Sequence, residues 1–354
     1  MTAGVALNDR RWPLSEAAGG YIDASLADQT KQAYVSDWAA FTRWCETAER
    51  RPLPADPVTV ADYLAAEASR LAASTLARRV AAINKVHELS GHRPPPGSDR
   101  AVQAVLAGIR RRNGAAPRRM APLMIEDLRR VLSCLDFDHY PSVVAARRDA
   151  CLLVFGFAGA FRRSELSDLN VADVSLRPAD GLHVRVPRSK TDQEGHGMVK
   201  GLPFGSSPQT CPACAYVGWV QLLAARDRAG VLASMVHRAE GHVCRCDQDV
   251  FTGELGSGPL FCPVDKHGVI RAGRTLTGQA INEMVRRRCA AAGIGPGGYG
   301  SHSMRAGFVT QALQEGATEY QVMRQTGHRS PATIAVYDRE NNPLRGNAVL
   351  KVGL

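Results

Sequence analysis

Apolar residues recur three and four positions apart along most of the chain, and this spacing predicts amphipathic helices. The first such stripe follows Asp28 and consists of Tyr34, Trp38, Phe41 and Cys45. Three more helices are predicted after Pro57, over residues 74–91 and over residues 102–109. The four segments predict a compact all-helical domain over residues 25–109.

The later part of the chain combines helical periodicity with one alternating segment. Residues 182–187 alternate apolar and polar side chains as a strand does, and residues 198–202 can return as the second strand of a hairpin. Helices are predicted over residues 125–135, 145–156, 215–229, 277–293, 304–316, 318–326 and 331–337. Residues 122–354 therefore predict a mixed domain, mostly α with a small β-sheet.

Two segments lack an apolar pattern. Residues 1–24 contain Gly19-Gly20 and predict a flexible tail. Arg110 to Pro122, with the sequence RRRNGAAPRRMAP, combines five arginines, an Asn-Gly pair and two prolines. This composition favours an extended basic linker over a packed element, and we place the linker at residues 110–121.

The charge of the chain is positive and unevenly distributed. The 354 residues include 44 Lys and Arg against 34 Asp and Glu, and residues 73–119 hold ten basic residues with only Glu88 and Asp99. Such an excess indicates a polyanionic partner, although a solvated helix face is the alternative explanation. No apolar run approaches the roughly 20 residues that span a membrane, and the first residues lack a secretory pattern. We expect a soluble cytoplasmic protein that associates with the nucleoid.

Two polar motifs flank predicted helices near the C-terminal end. Ser301-His302-Ser303-Met304-Arg305 meets a helix predicted to begin near Ser303, and helix N-termini favour anions. Downstream, Ser330 and Pro331 predict the N-cap and first residue of a short helix. Tyr337 then lies two turns along this helix, on a face distinct from that of Ile334 and Ala335.

Taken together, several motifs resemble the ordered signature of the tyrosine recombinase (phage integrase) family. They are Arg162-x-x-Glu165-Leu166, Lys190 in the predicted hairpin, His302-x-x-Arg305, Gly327-His328 and Tyr337. The resemblance covers about residues 25–354 and is strongest to two-domain Cre/Xer-like members. It implies a DNA-binding core-binding domain over residues 25–109 and a catalytic domain over residues 122–354.

The resemblance also implies a reaction. The enzyme would cut and rejoin double-stranded DNA recombination sites through a 3′-phosphotyrosyl intermediate and a Holliday junction, as a homo-tetramer on two sites. Arg162 and Arg305 would neutralise the non-bridging phosphate oxygens, His328 would add a donor, and His302 would accept the proton of the nucleophile Tyr337.

Three further residues have supporting roles in this scheme. The family places a lysine of the hairpin at the leaving 5′ oxygen, and Lys190 is our choice, with Lys200 as the alternative. Glu165 is expected to orient an arginine or a histidine. Because the set neutralises phosphate by fixed charge, we expect no metal and no other cofactor.

The sequence leaves three alternatives open. A type IB topoisomerase or hairpin resolvase would use the same residues, and a DNA-binding regulator would carry a degenerate catalytic domain. A structural zinc could bind four of the thiols Cys211, Cys214, Cys244, Cys246 and Cys262, although the spacing of the second half-site is unusual.

Predicted DNA contacts are Arg78, Arg79, Lys85, Arg110, Arg111, Arg112, Arg118 and Arg119. The target sequence and any accessory proteins do not follow from these residues.

Overall fold

The chain divides into two compact units, Met1–Arg118 and Arg119–Leu354. The structure, a computed structural model, describes residues 28–114, 119–187, 197–225, 258–295, 298–341 and 348–352. The predicted tail at residues 1–24 lies outside the described residues.

The first unit contains the four predicted helices. They are α1 (Asp28–Thr47), α2 (Pro57–Glu67), α3 (Ala73–Leu89) and α4 (Arg100–Asn113). Local capping fixes two of the starts, because the carboxylate of Asp56 accepts from the backbone N–H of Thr59 and that of Asp99 from Ala101. The stripes face one another around a buried core that includes Phe41, Leu64, Ile83 and Leu106.

Two arginines of α3 are paired inside this unit. The guanidinium of Arg78 makes a fork on Asp37, with Nε–Oδ2 and Nη2–Oδ1 distances of 2.7 and 3.0 Å. The Arg79 side chain is only 14% exposed and donates to Glu67 and to the hydroxyl of Tyr63. Arg79 therefore cross-links α2 and α3, and the DNA contact expected for it stays a prediction. Arg78, at 52% exposure, keeps an outer face.

The predicted linker begins later than the sequence suggested. Helix α4 continues to Asn113, so Arg110, Arg111 and Arg112 form its exposed last turn. The apolar stripe ends at Ile109, and periodicity therefore gave no sign of this extra turn. Three cations at a helix C-terminus are favourable because they face the negative end of the helix dipole. Arg118 lies outside the described residues, and Arg119 is the exposed first residue of the second unit.

The second unit is built from helices around one small sheet. The helices are α5 (Ile125–Ser133), α6 (Ser142–Ala158), α7 (Arg163–Asp168), α8 (Pro212–Ala225), α9 (Gly278–Ala291), α10 (Ser301–Gln314), α11 (Glu319–Thr326) and α12 (Pro331–Asn341). Strands β1 (Val174–Arg177), β2 (Gly181–Val186) and β3 (Met198–Leu202) form an antiparallel sheet in the order β1-β2-β3. The hairpin of β2 and β3 was predicted, whereas β1 and α7 were not.

The large core of this unit lies between α6, α8 and the sheet. Phe155, Tyr216 and Phe261 pack there as aromatic neighbours, and Nε1 of Trp219 donates to the carbonyl of Leu260 at 2.7 Å. Cys211, Cys214 and Cys262 are buried in the same core, as expected for hydrophobic thiols. Within the described ranges, no group of three His, Cys, Asp or Glu residues could bind a metal ion. Cys244 and Cys246 lie outside the described residues.

A smaller apolar cluster joins α10, α11 and α12 and includes Val309, Val322, Ile334 and Tyr337. The segment that enters the unit crosses the start of α10, where the backbone N–H of Leu123 donates to the carbonyl of Ser303 at 2.9 Å. A Cβ atom at Gly307 would lie 1.8 Å from the carbonyl oxygen of Leu123. Only glycine allows this approach, which fixes the first turns of α10.

None of the helices in the described parts of the chain combines the length and apolar character needed to cross a membrane.

Candidate active site

In the motif Arg162-x-x-Glu165, the two named residues are hydrogen-bonded to each other across one helical turn. Arg162 is the N-cap of α7, and Glu165 lies one turn further along. The Glu165 carboxylate accepts from the backbone N–H of Arg162 at 2.9 Å and from its Nη1 at 2.6 Å. The spacing of three residues lets the Glu165 carboxylate accept from both the backbone and the side chain of Arg162, and this holds the guanidinium in place.

Lys200 of β3 lies behind this turn with its side chain fully buried. Its ammonium donates to the carbonyl of Gly159 at 2.7 Å, lies 3.5 Å from Oε2 of Glu165 and 4.5 Å from the ring centroid of Phe161. Burial lowers the pKa of Lys200 to about 8 against the opposing charge of Glu165. Burial alone would raise the pKa of Glu165, but the charges of Lys200 and Arg162 outweigh it and lower that pKa.

Arg305 projects from the second turn of α10 and is 1% exposed. Its Nη1 donates to the carbonyl of Ala160 at 2.6 Å, and its Nη2 donates to Nε2 of His328 at 3.0 Å. Burial and the neighbouring charge of Arg162 lower the pKa of Arg305 to about 10, which still leaves it charged at neutral pH. Nη2 of Arg162 contacts the carbonyl of Gly327 at 3.4 Å, so both guanidiniums converge on the Gly327-His328 segment.

His328 follows directly on the end of α11. Gly327 ends that helix in the left-handed conformation, with φ 69°, which explains the glycine before the histidine. Nδ1 of His328 lies 2.8 Å from the hydroxyl oxygen of Thr326. Burial, together with the charges of Arg305 and Arg162, lowers the pKa of His328 to about 3. The ring is therefore neutral at physiological pH.

His302 and Tyr337 meet at the edge of the same pocket. Nε2 of His302 lies 2.9 Å from the phenol oxygen of Tyr337. Helix α10 begins at Ser301, two residues earlier than predicted, so His302 belongs to its first turn. Partial desolvation by the surrounding protein and the charges of Arg305, Arg119 and Arg162 lower the pKa of His302. This ring is thus available as a proton acceptor at neutral pH.

The orientation of Tyr337 corrects one prediction. Tyr337 is 9% exposed and packs in the same apolar cluster as Ile334, one turn earlier on α12. The prediction of a separate face was wrong, because the aromatic ring is itself part of the core while its hydroxyl contacts His302. The start of α12 agrees with the prediction, since Pro331 is its first residue and Ser330 accepts from the backbone N–H of Ala332 at 3.3 Å.

Arg162, His302, Arg305, His328 and Tyr337 thus converge from four separate segments. Lys190 lies outside the described residues, in the connection between β2 and β3. Sequence reasoning missed Thr326 and the carbonyls of Gly159 and Ala160, which contact the site directly. A hydroxyl residue two positions before His328 was the available signal. Among the predicted DNA contacts, Arg119 is near enough to His302 to affect its pKa, and Lys85 is half-buried on α3.

Known proteins are similar to this chain in sequence or in fold. The "Integrase/recombinase xerD homolog" of Selenomonas ruminantium is 30% identical over 338 residues, which cover 95% of this chain and 89% of that protein. No family model matches the chain. The sequence similarity shows that the chain belongs to the tyrosine recombinase (phage integrase) family. It is an enzyme that cleaves and rejoins DNA.

Two solved structures have the same fold at low sequence identity. A lambda integrase (75–356) dimer bound to a COC′ core site superposes with a TM-score of 0.55 at 14% identity, covering 93% of this chain and 95% of that one. XerH site-specific recombinase in a post-cleavage complex with palindromic difH substrate gives a TM-score of 0.52 at 17% identity, with coverage of 84% and 72%. The predicted fold class, mainly helical with a small sheet, is confirmed.

Proposed function

We propose that this protein is a site-specific recombinase in which Tyr337 attacks a DNA phosphodiester and becomes joined to the 3′ phosphate. One observation carries the proposal. The phenol oxygen of Tyr337 lies 2.9 Å from Nε2 of His302, in the pocket where the two guanidiniums of Arg162 and Arg305 converge. A nucleophile, a base and fixed positive charge are the groups that phosphoryl transfer to an oxygen needs.

In the proposed cleavage step, Nε2 of His302 accepts the phenol proton as the bond between the Tyr337 oxygen and phosphorus forms. Negative charge grows on the non-bridging oxygens, which the guanidiniums of Arg162 and Arg305 stabilise. Arg305 is buried, and the second N–H of its Nη2 can donate to a phosphate oxygen beside the hydrogen bond to Nε2 of His328.

The bond from phosphorus to the 5′ oxygen breaks in the same step, and this oxygen takes a proton from Lys190. The phosphotyrosyl bond conserves the energy of the broken linkage, and a 5′ hydroxyl from a partner strand reverses the reaction. Lys200 is a poorer candidate for this acid, because Gly159 and Glu165 surround its buried ammonium.

Strand exchange between two DNA sites requires more than one protomer. We infer a homo-tetramer on two recombination sites that exchanges strands in pairs through a Holliday junction, with the protein on nucleoid DNA. Membership of the tyrosine recombinase family supports this assembly.

A nicked suicide substrate tests the nucleophile. The candidate site is to be found by sequencing the DNA beside the gene for inverted repeats, and loss of the short 5′ fragment traps the covalent adduct in EDTA. Tyr337→Phe removes only the hydroxyl, so it should abolish the adduct while DNA affinity stays nearly unchanged, because phosphate contacts dominate affinity. Tyr320→Phe is the matched control, since Tyr320 is 76% exposed on α11. Adduct formation by Tyr337→Phe, or a requirement for Mg²⁺, would overturn the proposal.

Product topology separates recombination from the alternatives. Plasmids with zero, one or two candidate sites are incubated with the protein. A recombinase needs two sites, whereas a type IB topoisomerase relaxes DNA at any one of its sites. A regulator with a degenerate domain forms no adduct on any plasmid. The convergence of both arginines, both histidines and the tyrosine favours a competent enzyme over that regulator.

A further inference from the structure

Thr326 is a buried hydroxyl residue directly beside the site. It is the last residue of α11, its side chain is fully buried, and its oxygen lies 2.8 Å from the carbonyl of Val322. The same oxygen lies 2.8 Å from Nδ1 of His328. A carbonyl can only accept a hydrogen bond, so the Thr326 hydroxyl donates to Val322 and its lone pairs remain to accept from His328.

The other side of the His328 ring imposes the same proton arrangement. Nη2 of Arg305 lies 3.0 Å from Nε2 of His328. A guanidinium has donors and no acceptor, so Nε2 must accept this hydrogen bond and the ring proton must be on Nδ1. Both partners therefore select one tautomer of a neutral imidazole.

We propose that Thr326 is a positioning residue, whose hydroxyl accepts from Nδ1–H of His328 and thereby keeps Nε2 of that ring as the acceptor facing Arg305. The nitrogen that carries the proton in a histidine is generally set by the hydrogen bond that the other nitrogen makes. The opposite tautomer would direct an N–H of His328 at an N–H of Arg305, and two donors at this distance repel.

The consequence for the reaction rests on the function proposed above. With Nδ1–H bonded to Thr326, Nε2 is the position at which His328 can take a second proton from solvent when a phosphate anion arrives. The ring then donates from Nε2 to the phosphate without turning. Thr326 thus acts through His328 and touches no reacting atom.

Three substitutions separate the hydroxyl from the volume of the side chain. Thr326→Val keeps the shape and removes the acceptor, whereas Thr326→Ser keeps the acceptor and removes a methyl group. Thr310→Val is the matched control, because Thr310 is 1% exposed in α10 and its hydroxyl lacks a hydrogen-bond partner among the described residues. Thr310→Val therefore controls for exchanging a buried hydroxyl for a methyl group of the same shape, and Thr326→Ser controls for the hydrogen bond to Val322.

The tautomer can be measured directly by nitrogen NMR of histidine-labelled protein at neutral pH, with the His328 signals assigned by their loss in His328→Gln. The wild-type ring should carry its proton on Nδ1, and so should Thr326→Ser and Thr310→Val. Thr326→Val leaves Nδ1–H buried without its acceptor, so the opposite tautomer should become populated although the contact with Arg305 opposes it. A proton on Nε2 in the wild type, or an unchanged tautomer in Thr326→Val, would overturn the proposal, and the wild-type result stands even if a variant folds poorly.

Single-turnover cleavage of the suicide substrate tests the role in the reaction. Thr326→Val should cleave about tenfold more slowly or worse, at unchanged DNA affinity, and Thr326→Ser should recover most of the rate. A Thr326→Val protein with the altered tautomer and the wild-type rate would refute a role in positioning for catalysis. A wild-type protein with the expected tautomer but no adduct would refute the proposed function and leave the assignment of Thr326 intact.

Discussion

The phenol oxygen of Tyr337 and Nε2 of His302 lie 2.9 Å apart although 35 residues separate them in the chain. The helices that carry them, α10 and α12, pack through one apolar cluster. We therefore expect the proposed nucleophile and base to act within one protomer.

Mixed inactive variants should therefore fail to complement each other. Tyr337→Phe lacks the nucleophile, and Arg305→Ala should lose about 3 kcal/mol or more of transition-state stabilisation, by analogy with the loss of one oxyanion donor. Mixing the two proteins on paired sites should leave the adduct at background. Recovery of a substantial fraction of the wild-type adduct would mean that the tyrosine is delivered to another protomer.

The rate of cleavage should fall in acid with a midpoint below 6.5. Partial desolvation and nearby arginines lower the pKa of His302 from 6.5, so the base stays neutral and active to lower pH than a free imidazole. The rate of adduct formation at limiting DNA, measured against pH, reports this group in the free enzyme. Arg119→Gln removes one of the charges and should move the midpoint upward, whereas Arg119→Lys should retain it. Identical midpoints in the two variants would contradict this account.

Sulfur substitution should distinguish the two lysines. Lys190→Ala should cleave slowly, and a substrate with sulfur at the bridging 5′ position should restore the rate, because a thiolate leaves without a proton. Lys200→Ala should respond little to sulfur, since Lys200 is buried against Glu165. The assignment of Lys190 is wrong if the sulfur substrate rescues Lys200→Ala instead.

Removing Glu165 should destabilise the second unit. Glu165→Ala leaves the buried ammonium of Lys200 without its carboxylate, and loss of one partner of a buried ion pair typically costs about 3–5 kcal/mol. Urea denaturation measures the change. Adding Lys200→Met removes the uncompensated charge and should recover part of the loss. A double variant no more stable than Glu165→Ala alone would show that the pair is not coupled.

Two glycine substitutions should have opposite effects on stability. Gly307→Ala would drive a methyl group into the carbonyl of Leu123 and should cost about 1–3 kcal/mol or more. Gly108→Ala in α4 has open space for the methyl group and should gain about 0.5–1 kcal/mol from helix propensity. Hydrogen exchange in denaturant, measured on peptides from each unit, gives the change in the free energy of unfolding for each variant separately. A neutral Gly307→Ala would mean that the entry segment moves away from α10.

Hydrophobic periodicity predicted the long helices because their apolar stripes repeat over several turns. It missed α7, with six residues, and β1, with four, since neither is long enough to show a period. The order of the polar motifs predicted which side chains belong to the site. Their mutual contacts did not follow from sequence, as the burial of Arg305 depends on the carbonyl of Ala160, 145 residues away.

Arg79 and Tyr337 show why a local sequence pattern does not determine the surroundings of a side chain. The polar position of Arg79 on α3 suggested a surface, but Glu67 and Tyr63 on another helix enclose its guanidinium. The position of Tyr337 along its helix predicted a face distinct from that of Ile334, whereas its ring packs in the same apolar cluster. In both cases one side chain has an apolar or buried part and a polar end, so its environment depends on tertiary neighbours.

The carboxylate of Glu165 partly offsets the positive charge of the site and so determines its net charge. The described cations Arg162, Arg305 and Lys200 together with this one anion give 3 − 1 = +2, with the histidines neutral. A phosphodiester brings a single negative charge, but it becomes a dianion once the phenol oxygen has added and its proton has left. The phenol proton moves to His302, so the site gains one positive charge as the phosphorus centre gains one negative charge, and the electrostatic stabilisation increases as the reaction proceeds.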